Sequence, residues 1–128
     1  MTRTIFMGCI LEEIKPIYDL VLKNQKNVLQ EMRNNCSIKN LARGVDDSFK
    51  FNNYTLIHGL GHGVGIDVHE IPSIHSKNES FLKENMVVTD EPGIYLPGRY
   101  GIRIEDTVLI TKNECIPLTK SKKEYVVI

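Results

Sequence analysis

The sequence feature that most constrains the fold is a run of alternating glycines near the middle of the chain. Glycine occupies every second position from residue 59 to residue 65, and three of the four histidines lie in or beside this run: His58, His62 and His69. Glycine at this density destabilises a helix, because it loses more conformational freedom on folding than any other residue. The run therefore predicts extended backbone that another part of the chain approaches closely.

The spacing of the histidines predicts how they are arranged. On an extended backbone His58 and His62 share a face, whereas His69 is an odd number of residues away and needs a bend to join them. A helical zinc-protease motif does not fit, because Pro72 follows His69-Glu70, and Val64 stands where a dinucleotide-binding loop needs glycine. Taken singly, each histidine is better explained as a hydrogen-bonded residue of a tight turn. Their concentration in one segment favours a binding or catalytic site.

Two glutamates add to this hypothesis. Glu91 stands at the end of a predicted strand, and Glu105 interrupts an apolar alternation. Burying an unpaired carboxylate costs several kcal/mol, and a shared metal ion would remove that cost for both residues. Imidazole and carboxylate ligands without a thiolate suit Mn, Co, Fe or Zn. For Glu105, a salt bridge to Arg103 or simple exposure is the alternative.

The rest of the pattern predicts helices first and strands later. Apolar residues recur at helical spacing over Pro16–Arg33, and a second helix is predicted over Ile38–Phe49. This order predicts the α+β class with a largely antiparallel sheet. The first predicted strands are Thr2–Gly8 and Met86–Thr89, and the second of these ends in a turn at Glu91-Pro92-Gly93. Strand alternation continues through Ile102, Ile104 and Val108–Ile110. Two edge strands are predicted at Ile116–Leu118 and Tyr125–Ile128.

Composition limits the remaining possibilities. A length of 128 residues with 41% hydrophobic residues predicts one domain over residues 1–128 with its own core. The 16 basic residues balance the 16 acidic ones, which argues against a nucleic-acid or membrane partner, and no apolar run approaches the ~18 to 20 residues of a membrane span. Cys9, Cys36 and Cys115 form no C-x-x-C pair, so neither disulfides nor a thiolate zinc site is predicted. A cytoplasmic protein is expected.

Three segments resemble the motifs of one enzyme family. Residues 58–70, HGLGHGVGIDVHE, resemble at every position the signature of proline dipeptidases and aminopeptidase P, the Xaa-Pro peptidases of metallopeptidase family M24. Residues 89–95 (TDEPGIY) and 101–107 (GIRIEDT) resemble the next two motifs, and residues 2–6 (TRTIF) resemble the strand that ends the family's first metal-binding motif. The resemblance implies the carboxy-terminal part of a pita-bread (creatinase/aminopeptidase-like) fold. We expect it to be incomplete, with two N-terminal helices and a mostly antiparallel curved sheet.

The resemblance also implies a site for two divalent ions. Manganese is the first expectation, with cobalt, zinc and iron as alternatives. The implied metal ligands are His62, Glu91 and the bridging Glu105. The implied catalytic residues are Glu91 as general base or proton shuttle, and His58 and His69 in contact with substrate or the tetrahedral intermediate. Arg103 would orient Glu105, and the substrate would be a peptide with proline at its second position.

Two aspartates of the family's ligand set are not matched in this sequence. The second of them normally stands directly before the residue that is Met1 here, and Asp46, Asp47 and Asp67 match neither position. We therefore expect a truncated peptidase domain that binds metal weakly and is inactive alone. The alternatives are a non-catalytic peptide- or protein-binding module derived from the fold, and a gene remnant without function. We also expect a homodimer, or association through the sheet face that the missing half would cover.

Overall fold

A computed structural model describes all 128 residues of the chain. Two helices are followed by most of the strands, which confirms the predicted α+β class. Neither helix is long and apolar enough to cross a membrane. The elements are β1 (Ile5–Phe6), α1 (Lys15–Glu31), α2 (Ile38–Phe51), β2 (Gly61–Gly63), β3 (Glu70–Ile74), β4 (Val87–Asp90), β5 (Gly93–Leu96), β6 (Tyr100–Arg103), β7 (Asp106–Ile110), β8 (Cys115–Pro117) and β9 (Val126–Val127).

The main sheet has five antiparallel strands in the order β3-β2-β4-β7-β8. Its longest pairing joins β4 to β7, from Val87 opposite Leu109 to Asp90 opposite Asp106. β5 and β6 form a separate antiparallel hairpin, and β1 pairs in parallel with β9. The first and last strands of the chain therefore lie side by side.

The core lies between the helices and the sheet. α1 contacts β4, β5 and β6, and α2 contacts β3. Within α1, the buried residues Ile17, Val21 and Val28 recur at helical spacing, as one apolar face requires. Within β7, Asp106, Val108 and Ile110 are buried and alternate with partly exposed residues, so one face of this strand points into the core.

The structure corrects several predicted boundaries. α1 ends two residues before Arg33, and α2 extends two residues beyond Phe49. β1 covers only Ile5–Phe6 of the predicted Thr2–Gly8. At the carboxyl end of the prediction, Gly8 adopts a positive φ of 80°, which an extended strand does not allow. Glu91 and Pro92 form a two-residue break between β4 and β5 rather than a turn. The predicted alternation is interrupted, because Ile102 lies in β6, Val108–Ile110 lie in β7, and Ile104 lies between the two strands.

Candidate metal centre

The glycine run forms β2 and the loops beside it, between β3 and β4. A Cβ atom added to Gly61 would collide with the backbone carbonyl of Thr89 in β4, and one added to Gly63 would collide with the carbonyl of Ile71 in β3. Only glycine at these two positions lets the neighbouring strands approach so closely. This confirms the predicted close approach, and it places His62 between two strands.

A polar cavity of about 350 Å³ opens beside β2. No hydrophobic side chain lines it, so it suits a charged or polar ligand. His69 reaches it through the predicted bend, since the chain turns between β2 and β3 and brings the rings of His62 and His69 to a centroid separation of 4.3 Å. The lining residues are His58, Gly59, Gly61, His62, His69, Ser73, Glu91 and Arg103.

His62 and Glu91 form a ligand-type pair in the cavity. Nε2 of His62 lies 3.3 Å from Oε1 of Glu91. Nδ1 of His62 lies 2.9 Å from the carbonyl oxygen of Gly63. Because a carbonyl oxygen only accepts, Nδ1 carries the proton, and Nε2 has a free lone pair beside Glu91. A histidine held in this way by a backbone carbonyl has the tautomer of a metal ligand.

The spacing of this pair fits a shared cation. Two ligand atoms at about 2.1 Å from one ion are about 3.0 to 3.4 Å apart in octahedral or tetrahedral coordination. The separation of 3.3 Å between Nε2 of His62 and Oε1 of Glu91 lies in that interval. The spacing of these two atoms is therefore compatible with their binding one divalent cation.

Thr89 connects both members of the pair, although the sequence did not single it out. Its hydroxyl accepts a hydrogen bond from the His62 amide at 3.0 Å and donates one to Oε1 of Glu91 at 3.1 Å. Its position two residues before Glu91, on the same face of an extended chain, is the signal that could have identified it.

His58 also lines the cavity and has its own tyrosine partner. Nδ1 of His58 donates to the carbonyl oxygen of Gly59 at 2.7 Å, so Nε2 is the acceptor of the Tyr95 hydroxyl at 3.0 Å. The two rings are packed edge to face with centroids 5.4 Å apart. Tyr95 belongs to the TDEPGIY segment, and its contact with His58 was not predicted from the sequence.

Glu105 lies outside the lining of this cavity. Its Oε2 accepts a hydrogen bond from the Thr2 hydroxyl, its Oε1 lies 3.3 Å from the amino group of Met1, and Nε of Arg103 lies 4.0 Å from Oε2. Burial by itself raises the pKa of Glu105. The Thr2 hydrogen bond, the terminal ammonium group and Arg103 outweigh this effect and hold the pKa below its ordinary value. Glu105 is therefore an ionised carboxylate, connected to the cavity through Arg103.

The structure brings some of the predicted site residues together and leaves others apart. His58, His62, His69, Glu91 and Arg103 line one cavity, whereas Glu105 does not. No group of three or more His, Cys, Asp or Glu side chains is close enough to hold a metal ion by itself. The acidic residues that the sequence excluded as ligands also lie outside the cavity: Asp46, Asp47 and Asp67.

Two buried aspartates adjoin the predicted ligands. Asp90 and Asp106 face each other across β4 and β7, and both are fully buried. Burial raises the pKa of Asp106, but hydrogen bonds from Lys123, Thr119 and Arg3 outweigh it and lower this pKa to about 2. Neither carboxyl oxygen of Asp90 has a hydrogen-bond partner. Burial and the negative charge of Asp106 raise the pKa of Asp90 well above its ordinary value.

Comparisons with known proteins agree with the motifs. Metallopeptidase family M24 matches residues 1–112. The chain is 45% identical over 127 residues to the Xaa-Pro dipeptidase of Pyrococcus furiosus, covering 97% of this chain and 36% of that protein. It is 43% identical over 129 residues to the Xaa-Pro dipeptidase of Pyrococcus horikoshii, covering 98% of this chain and 36% of that protein. The chain thus spans about 36% of the length of these curated relatives.

Solved structures show the same relationship in three dimensions. The chain superimposes on the X-Pro aminopeptidase from Thermotoga maritima with a TM-score of 0.93 and 36% identity, covering 98% of this chain and 36% of that one. For a prolidase from Thermococcus sibiricus the TM-score is 0.94 and the identity 37%, with 98% and 35% covered. These matches confirm the predicted fold, which is the pita-bread fold in an incomplete form with two helices and a mostly antiparallel sheet.

Proposed function

The chain belongs to metallopeptidase family M24, and we propose that it is the part of an Xaa-Pro peptidase domain that carries three metal ligands: His62, Glu91 and Glu105. One observation carries this proposal. Nε2 of His62, in the tautomer of a metal ligand, lies 3.3 Å from Oε1 of Glu91 in a cavity without hydrophobic lining residues. The family and the curated relatives named above are peptidases, which makes hydrolysis of a peptide bond the reaction to test.

The proposed cofactor is a pair of divalent ions, with manganese first and cobalt, zinc and iron as alternatives. One imidazole and two carboxylates without a thiolate suit these metals. When bound, such a cation lowers the pKa of water to near neutrality and polarises the carbonyl group that is attacked. Glu105 would join the two ions, and Arg103, with its Nε 4.0 Å from the Glu105 carboxylate, would orient it.

The remaining roles belong to side chains around the cavity. Glu91 would take a proton from the attacking water, because Thr89 donates to its Oε1 and leaves Oε2 able to accept. His58 would contact substrate or the tetrahedral intermediate from the position that Tyr95 gives it. His69, whose ring centroid lies 4.3 Å from that of His62, would do so from the loop before β3.

The proposed substrate is a short peptide with proline at its second position. A cavity of about 350 Å³ is within the size range of small-ligand sites, which begins at about 300 Å³. The formal net charge of zero offers no electrostatic attraction for nucleic acid or a membrane surface. We propose a cytoplasmic location, because Cys9, Cys36 and Cys115 are all free thiols, as is usual in a reducing compartment.

We further propose that these 128 residues alone bind metal weakly and do not turn over substrate. The resemblance implies five ligands for two ions, and the three present here would leave the ions undercoordinated. Glu105 also lies outside the cavity in which His62 and Glu91 form a pair. If the chain instead binds peptides without metal, the non-catalytic binding module is the better description.

The test is metal binding by the purified chain. Mn²⁺ titration by calorimetry should detect weak binding, and His62→Ala should weaken it by about tenfold or more, the usual effect of disturbing a metal site. His75→Ala is the matched control, because His75 is the one histidine that does not line the cavity. We expect no cleavage of an Xaa-Pro dipeptide in the same samples.

Three outcomes would contradict parts of this proposal. Two tightly bound Mn²⁺ ions per chain with dipeptide cleavage would show that the isolated chain is active. Equal Mn²⁺ affinity in wild type and His62→Ala would remove His62 from the ligand set. Binding of an Xaa-Pro dipeptide that is insensitive to both Mn²⁺ and His62→Ala would favour the non-catalytic module.

A further inference from the structure

The hydroxyl group of Thr89 forms a hydrogen bond with each residue of the candidate metal pair. It accepts from the His62 amide at 3.0 Å and donates to Oε1 of Glu91 at 3.1 Å. Thr89 is only 2% exposed, so water does not compete effectively for either bond. The same Oε1 lies 3.3 Å from Nε2 of His62. The backbone of His62, the Thr89 hydroxyl, Glu91 and the His62 imidazole therefore form a closed ring of contacts.

This hydroxyl replaces a backbone acceptor in the sheet. β2 and β4 are joined by backbone hydrogen bonds on both sides of His62, but the amide of His62 itself donates to the Thr89 side chain. A buried backbone amide without any acceptor is costly, so the hydroxyl completes the ladder at this point. The flanking backbone bonds are Val64 N to Val87 O at 2.9 Å and Glu91 N to Leu60 O at 2.8 Å.

The direction of the two hydrogen bonds is determined by their donors. A backbone amide can only donate, so the Thr89 oxygen must accept from His62. The single hydroxyl proton is then available for Oε1 of Glu91, which accepts it at 3.1 Å. Thr89 therefore engages one lone pair of Glu91 Oε1 and leaves another for a cation that His62 and Glu91 would hold together.

We propose that Thr89 is a positioning residue that sets the separation between His62 Nε2 and Glu91 Oε1 and thereby the affinity of the site for a divalent cation. This inference depends on the proposed metal-binding function, and it adds a residue that does not itself touch the metal. Valine has nearly the same shape as threonine and is at least as favourable in a strand, so Thr89→Val removes the hydroxyl with little change in packing. Serine retains the hydroxyl and loses only the methyl group.

The experiment compares four forms of the full 128-residue chain: wild type, Thr89→Val, Thr89→Ser and Thr107→Val. Thr107 is the matched control because it lies directly opposite Thr89 in β7, and its backbone amide, not its hydroxyl, is bonded to Thr119.

Mn²⁺ affinity is measured by calorimetry, and the His62 amide and imidazole are followed by NMR in the absence of metal. Thr89→Val should bind Mn²⁺ about tenfold more weakly, the smaller effect expected for a residue that holds a ligand. It should also lose hydrogen-exchange protection at the His62 amide.

Thr89→Ser should restore both properties, and Thr107→Val should change neither. If Thr89→Val lowers only the unfolding midpoint, while Mn²⁺ affinity and the His62 resonances stay as in wild type, Thr89 is structural and the positioning role is wrong. If the wild-type chain binds no Mn²⁺, the proposed function fails. The positioning role is then decided by NMR alone, and unchanged His62 signals in Thr89→Val would overturn it.

Discussion

At the scale of single residues, Asp90 and Asp106 have the same side chain and opposite surroundings. Asp106 accepts from Arg3 at 2.6 Å, from Gln25 at 2.9 Å and from Lys123 at 2.5 Å, and its pKa falls to about 2. Asp90, directly across the sheet, has no partner for either oxygen, and its pKa rises well above the ordinary value. Because Arg3 and Lys123 both bind Asp106, no hydrogen bond offsets the burial of Asp90, and burial raises its pKa.

Replacing Asp90 should therefore stabilise the fold. Asp90→Val removes an unsatisfied polar group from the core and should raise the free energy of unfolding at pH 7 by about 1 to 3 kcal/mol, measured by urea denaturation. The native pKa of Asp90 is raised, so ionisation of this group in the unfolded state lowers the free energy of unfolding. This loss of stability is absent below the unfolded pKa of about 3.9 and grows as the pH rises above it. The gain should accordingly be smaller at pH 3 than at pH 7. A less stable Asp90→Val protein at pH 7 would mean that Asp90 has a partner in solution.

At the scale of elements, Asp106 joins four parts of the chain. Gln25 comes from α1, Arg3 precedes β1, Thr119 and Lys123 lie in the segment before β9, and Asp106 begins β7. Arg3 also donates through Nη1 to the carbonyl oxygen of Glu105 at 2.6 Å. The backbone of a proposed metal ligand is thus held by the same network that ties the two ends of the chain to the sheet.

Breaking this network should be costly. Asp106→Asn leaves Arg3 and Lys123 without their buried counter-charge and should lower the free energy of unfolding at pH 7 by about 3 to 5 kcal/mol. The native pKa of Asp106 is lowered, so Asp106 contributes its full share to the free energy of unfolding above the unfolded pKa of about 3.9. This contribution is lost as the pH falls through about 2. Urea denaturation from pH 7 to pH 2 should therefore show the two proteins converging in acid.

An exposed ion pair supplies the control for this prediction. Glu12 and Lys15 are 2.7 Å apart on the surface, and such pairs contribute about 1 kcal/mol or less. Glu12→Gln should therefore leave the urea midpoint almost unchanged. A loss as large as that of Asp106→Asn would show that general charge loss, and not the buried network, explains the effect.

At the scale of the whole molecule, apolar side chains remain exposed on the side of the chain that contains the candidate site. Ile66 and Val68 lie in the loop between β2 and β3, and Ile71 lies in β3, an edge strand of the main sheet. All three are more than two-thirds exposed. An edge strand with exposed apolar residues favours association with another surface.

We therefore expect the chain to self-associate through this surface. Light scattering should give a mass above that of the monomer and rising with concentration. Ile66→Ser combined with Ile71→Ser should lower the measured mass. Phe51→Ser, which changes an equally exposed residue at the end of α2, should not. A monodisperse monomer in the wild type, or an equal response to both variants, would contradict association through the β2–β3 side.

The sequence by itself determined the class of the fold, the two helices, the extended glycine segment and the family to which the chain belongs. These features are encoded locally, in the spacing of apolar residues and in short motifs such as residues 58–70. The bend that brings His69 to His62 also follows from the sequence, because an odd separation cannot place two side chains on one face of a strand.

Only the tertiary structure decided which polar groups meet. Gln25 and Asp106 are 81 positions apart, and Thr89 is 27 positions from His62. Local periodicity says which face a side chain occupies but not which residue lies across the sheet from it. For the same reason the sequence could not reveal that Asp106 is paired while Asp90 is left without a partner, or that Glu105 lies outside the cavity that contains His62 and Glu91. Hydrogen bonding and burial decide these states, and both depend on neighbours that only folding brings together.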